Sequence, residues 1–179
     1  MWRVMIAVGI LIGSTSLRAQ DQVAAPGHPD PVISRVFEHL GGRTPLAVRL
    51  AQSSDFHEQA WRRVRDLVAF RVHRPVAGGG TRPDAVIYLS STSDLYLKAA
   101  AVLRTGATTH EYVWCLLASV IAHETAHTAP NTERHALTAE VESLRRCLLA
   151  GHLHASDGWN AVTYIGKVEA RLRKPREHQ

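Results

Sequence analysis

Three residues within five positions could carry out hydrolytic chemistry: His123, Glu124 and His127, in the run His-Glu-Thr-Ala-His. On an α-helix, residues four apart project to the same side, so both imidazoles can reach one ion. Zinc accepts neutral imidazole nitrogen and needs no redox partner. The intervening glutamate falls where it can take a proton from a water molecule that the metal has acidified, which makes Glu124 the expected general base. The bare pattern carries limited weight, because a chain with 11 histidines meets it by chance with a probability of roughly 3%. Its surroundings strengthen it. Val120, Ile121 and Ala122 precede the motif, Thr125 and Ala126 fill it, and Thr128 and Ala129 follow, so the flanks bring no competing charge into a site that must be buried.

These side chains need a helix to hold them. Thr108 with Glu111 has capping-box spacing and opens an expected helix from about Thr109 to Ala129, which Pro130 ends. Asn131 or Thr132 can cap the next, whose apolar stripe Leu137, Val141, Leu144 and Leu148 runs until Gly151. Upstream, Pro31 to Leu40 reads as a short amphipathic helix, and Asp55 with Glu58 as the cap of a second helix through Val64, Leu67 and Val68. Pro75 to Pro83, with Gly78, Gly79 and Gly80, is an expected loop, and Ala85–Ser90 is the best strand candidate. Ser93 or Asp94 can cap a helix that stops near Gly106, and a last helix is expected from Gly158 to about Arg173. The pattern predicts an α+β, helix-dominated single domain over residues 31–173, with an active-site helix hairpin and at most a small sheet.

The motif helix and its successor, roughly residues 109 to 150, resemble the zincin metallopeptidases of the gluzincin type. Those use this motif plus a glutamate from the following helix, and no named subfamily stands out. The resemblance implies a zinc-dependent peptidase acting on a peptide or protein, with Zn2+ as cofactor. It also implies a strand that offers its backbone to an extended peptide, a role open to Ala85–Ser90. Two histidines do not complete a tetrahedral site, and Glu140 is the expected third ligand. It lies within the apolar stripe of the second helix, where a carboxylate is costly to bury unless it is paired or bound to a metal. Glu133, six residues after His127, is the main alternative, with His135, His152 and His154 behind it. Leu144 stands where many gluzincins carry an aspartate. Stabilisation of a developing oxyanion could fall to His110, Tyr112, His135 or Tyr164. A zinc-stabilised binding or regulatory module without catalysis is the alternative function, and it would have no use for Glu124.

The 179 residues, 45% of them hydrophobic, suffice for one core. Arg3, the apolar run Val4 to Ile12 and the small residues before Ala19 read as a signal peptide over residues 1–19, too short to span a bilayer. An exported protein, periplasmic or extracellular, is therefore expected, with no membrane span after cleavage. Residues 20–30 read as a flexible lead-in and 174–179 as a basic tail. Loss of Arg3 and Arg18 lowers the formal charge from +5 to +3, and no basic stripe with interleaved aromatics exists to bind nucleic acid. The oligomeric state is not legible. Export would let Cys115 and Cys147 form a disulfide. If the two helices meet antiparallel at one metal, Cys115 lies ~12 Å from the His123 level and Cys147 ~10.5 Å from the Glu140 level, on the same side.

Overall fold

A computed structural model of the chain describes residues 30–40, 46–106, 111–127, 133–150 and 155–173. The expected signal peptide, residues 20–29 of the lead-in, the caps Thr108, Asn131 and Thr132, and the basic tail lie outside them. The described residues form six α-helices and one three-stranded sheet, the helix-dominated α+β domain expected.

Local signals set most of the helix limits. In α1 (Pro31–His39), Asp30 caps the start by accepting the Ile33 N–H at 2.9 Å, and Val32, Ile33 and Val36 face inward. In α3 (Asp94–Thr105), the Ser93 hydroxyl caps the start and Gly106 ends the helix in the left-handed region. Helix α2 (Glu58–Val64) is shorter than its apolar spacing predicts. Asp55 does not cap it. It belongs to the 3-10 turn Ser53–Asp55 and accepts the Gln52 N–H at 2.9 Å, while Leu67 and Val68 lead into the sheet.

The sheet has the order β1 (Ala47–Ala51), β3 (Thr81–Ser90), β2 (Ala69–Pro75). Strand β1 runs parallel to β3, with Ala47 opposite Val86, and β2 runs antiparallel to it, with Ala69 opposite Leu89. The expected loop is narrower than Pro75 to Pro83. Thr81, Arg82 and Pro83 extend β3, and Gly78, Gly79 and Gly80, all at positive φ, make the hairpin turn. Pro83 is tolerated in β3 beside the irregularity of register between Arg71 and His73. Because β3 is central, Ala85–Ser90 is not the strand with a free edge, and β2 is the edge strand next to the motif helix.

Alternation of side chains divides the sheet. Val48, Ala69, Ile87 and Leu89 pack with α1, α3 and α4, whereas Phe70, Val86 and Tyr88 pack with Phe56, Trp61 and Val64 around α2. Helix α4 (Glu111–Ala126) is apolar nearly all round because it serves two cores. Trp114, Leu117 and Ile121 face the first, and Cys115 faces a second formed with Leu137, Val141 and Leu144 of α5 (Glu133–Leu149) and Ile165 and Val168 of α6 (Ala155–Arg173). Among the described residues no helix is long and apolar enough to cross a membrane.

Helices α4 and α5 are antiparallel, and Cys115 and Cys147 are joined by a disulfide with Cα atoms 6.0 Å apart. The bridge closes a loop with a sequence separation of 32, for which chain-entropy reasoning gives a stabilisation of about 4 kcal/mol. Cys115→Ala/Cys147→Ala is expected to lose stability of that order in denaturant unfolding, and a loss below about 1 kcal/mol would contradict the account.

Candidate metal centre

The hairpin of α4 and α5 brings the motif to the interior. His123, Glu124 and His127 are buried, and Glu140 on α5 is completely so. The Nε2 atoms of His123 and His127 face each other at 3.0 Å. Glu133, the first residue of α5, completes the group with Oε2 at 3.7 Å from His123 Nε2 and 3.5 Å from His127 Nε2. These three residues could hold a metal ion. Four-coordinate zinc with bonds of about 2.0–2.2 Å spaces its donor atoms about 3.3–3.6 Å apart, and the three separations fall around that range.

Glu140 stands elsewhere than its expected place among the ligand atoms. Its Oε2 lies 3.0 Å from Nδ1 of His123, on the ring edge away from the other two donors. Its Oε1 accepts the Tyr164 hydroxyl at 2.5 Å, so both carboxylate oxygens of this fully buried residue are satisfied. Such a carboxylate fixes a proton on Nδ1 and leaves the Nε2 lone pair for a metal. Glu133 is held below the usual carboxylate range, chiefly by its hydrogen bond with His127, and Arg171 of α6 reaches its other oxygen at 3.3 Å.

Burial drives Glu124 in the opposite direction, up to about 7, with His123 and Arg71 pulling it back. Since its ordinary value is 4.5, the folded metal-free chain favours the protonated acid below about pH 7, over a range where the unfolded chain has already lost that proton. The stabilising contribution of that acid is complete below about pH 4.5 and lost as the pH rises through about 7, an effect of about 3 kcal/mol. Glutamine imitates the protonated acid. Relative to the metal-free parent, Glu124→Gln should therefore gain about 3 kcal/mol between pH 4 and pH 8, and a difference that does not vary with pH would contradict this.

The other expected polar candidates divide. Tyr164 is at the site but is committed to Glu140, and burial first and Glu140 next push its hydroxyl up. Tyr112 lies about three turns before His123 on α4, with its hydroxyl 3.5 Å from the Asn160 carbonyl, and His135 is exposed. His110, His152 and His154 lie outside the described residues. Two residues of β2 were not anticipated. Arg71 reaches the end of α4, and His73, on the same face of the strand, is buried and lowered by burial, by Arg71 and by His127. The signal that could have found them is the alternation of Arg71 and His73 with Phe70 and Val72, a strand with its polar face turned inward.

A cleft of ≈ 970 Å³ between α3, α4 and α6 runs over Leu116 and Val120 to Glu124, with Lys98 and Lys167 among its lining residues, while His123, His127 and Glu133 do not line it. Comparison with protein-family models, curated proteins and solved structures finds no match to this chain.

Proposed function

We propose that the protein is an exported zinc peptidase in which His123, His127 and Glu133 hold the metal, Glu124 is the general base and Glu140 orients His123. The observation that carries this reading is the convergence of two imidazole nitrogens and one carboxylate oxygen at separations of 3.0–3.7 Å beside a buried glutamate. When bound, zinc would polarise the substrate carbonyl and acidify a water molecule. Glu124, buried next to His123 in the motif, would accept a proton from water held there and pass it to the leaving amine. Glu140 and Tyr164 keep the His123 ring in one tautomer and one orientation.

Glu133 opens α5, so the third donor still comes from the helix after the motif, in keeping with a gluzincin-like arrangement. Strand β2, an edge strand of the sheet among the described residues, replaces Ala85–Ser90 as the place where an extended peptide would pair, and the cleft that reaches Glu124 is of a size to admit a peptide side chain or several. The Cys115–Cys147 bridge fits an oxidising compartment and supports export.

The direct test is cleavage of an unfolded, reduced and alkylated protein by the zinc-loaded mature chain. Chelation with 1,10-phenanthroline should stop it and added zinc restore it. No cleavage by a protein shown to contain zinc would sink the peptidase reading. Among the donors, Glu133→Gln should weaken zinc binding more than Glu140→Gln, whose loss should stay within the roughly 10- to 100-fold of a supporting residue. The reverse order in a chelator competition would return Glu140 to the ligand set.

A further inference from the structure

Helix α4 ends inside its own motif. Ala126 is its last residue, so His127 is placed by a main chain that has already left the helix. The last carbonyls of a helix have no partner within it and must find donors elsewhere. Arg71 of β2 supplies them. Its Nη1 donates to the Glu124 carbonyl at 3.2 Å and to the His127 carbonyl at 2.6 Å. From the other side of the guanidinium, Nε and Nη2 donate to the Asp84 carbonyl of β3 at 2.9 and 2.5 Å.

Each of these hydrogen bonds goes to a main-chain oxygen, and none to a carboxylate. A buried cation without a hydrogen-bonded counter-charge is costly, and a neutral donor could have capped one carbonyl. What a planar guanidinium adds is several donors at fixed angles, enough to tie two points of the helix end to one point of the sheet. The negative end of the α4 dipole offsets part of the cost of its charge.

We infer that Arg71 is a positioning residue for the metal centre, fixing the main chain at His127 and with it the approach of His127 Nε2 to His123 Nε2. The inference rests on the zinc reading above. Neighbouring Arg74 provides the contrast. It lies on the same strand and pairs with the Asp84 carboxylate at 2.9 Å, with no bond to α4.

The test uses the full mature chain, stripped of metal and reloaded with zinc or cobalt, as the parent and as Arg71→Met, Arg71→Lys and Arg74→Met. Zinc affinity is read by chelator competition, and the geometry of the centre by the visible spectrum of the cobalt form. Arg71→Met is expected to bind zinc about 10- to 100-fold more weakly, with altered cobalt bands. Arg71→Lys, which can reach one end of the span but cannot bridge it, should fall between Arg71→Met and the parent. Arg74→Met should match the parent in both readouts. A folded Arg71→Met with parental affinity and spectrum would overturn the inference. Should that variant fail to fold, Arg71→Lys decides, and parental behaviour in it would overturn the inference equally. A parent that takes up neither metal would bring down the zinc reading and this inference together. A parent that binds, with Arg71 variants that bind as well, would bring down the inference alone.

Discussion

In the proposed zinc peptidase, Glu124→Gln is expected to keep the fold and the metal while lowering kcat for peptide hydrolysis by about 10²- to 10⁴-fold. The substitution is nearly isosteric. The main-chain carbonyl of Glu124, which accepts from Arg71, is unchanged by it. Nor does it remove a donor atom from His123, His127 or Glu133, the three residues that converge. It removes the one group of the motif that faces the cleft and can accept a proton. An amide has no such capacity, so the loss should fall on kcat with KM little changed. Turnover at the parental rate would show that another base acts.

The second large effect is on the metal itself. His123→Ala and His127→Ala should each weaken zinc binding by on the order of 10³-fold or more, beyond the 10- to 100-fold expected of a supporting residue. The two variants should nevertheless differ in stability when metal-free. His123 also partners Glu140, which is fully buried and has Tyr164 as its other partner. Removing the imidazole leaves a buried carboxylate oxygen without its hydrogen bond, a cost of about 1–3 kcal/mol or more. The α5 carboxylate that meets His127 is Glu133, which is partly exposed to solvent and has Arg171 at its other oxygen, so it keeps partners when the imidazole is removed. Denaturant unfolding of the metal-free variants should therefore rank His123→Ala below His127→Ala, and equal stabilities would contradict the role given to Glu140.

The contrast between Glu140 and Glu133 marks how far the sequence could be read. The burial of Glu140 was legible because helical periodicity places it on the stripe of Leu137, Val141 and Leu144. Which atom it meets was not, since that depends on the rotation of α5 against α4, and a ring edge and a metal lie only a few ångströms apart. The position of Glu133 depends on how the chain passes from α4 to α5, which no periodicity fixes. The disulfide was accessible because its argument needed only rise per residue and an antiparallel hairpin.

Strands β1 and β2 escaped for a related reason. Strand β1 is five residues long, and β2 places Arg71 and His73 on its inner face, against the usual sense of apolar alternation. That inversion is itself informative, because the polar residues turned inward are those that meet the end of the motif helix. The helix start at Pro31 was legible because proline suits a first helical turn, and the one at Asp94 from the Ser93 cap, whereas the Asp30 cap emerged only in the structure.

The most direct measurement is anomalous diffraction at the zinc edge from crystals of the mature protein grown with saturating zinc. A single peak about 2.0–2.1 Å from Nε2 of His123 and of His127, and about 2.0–2.2 Å from the Glu133 carboxylate, is the expected result. Crystals with no peak between these residues would contradict the central claim that they form a metal centre.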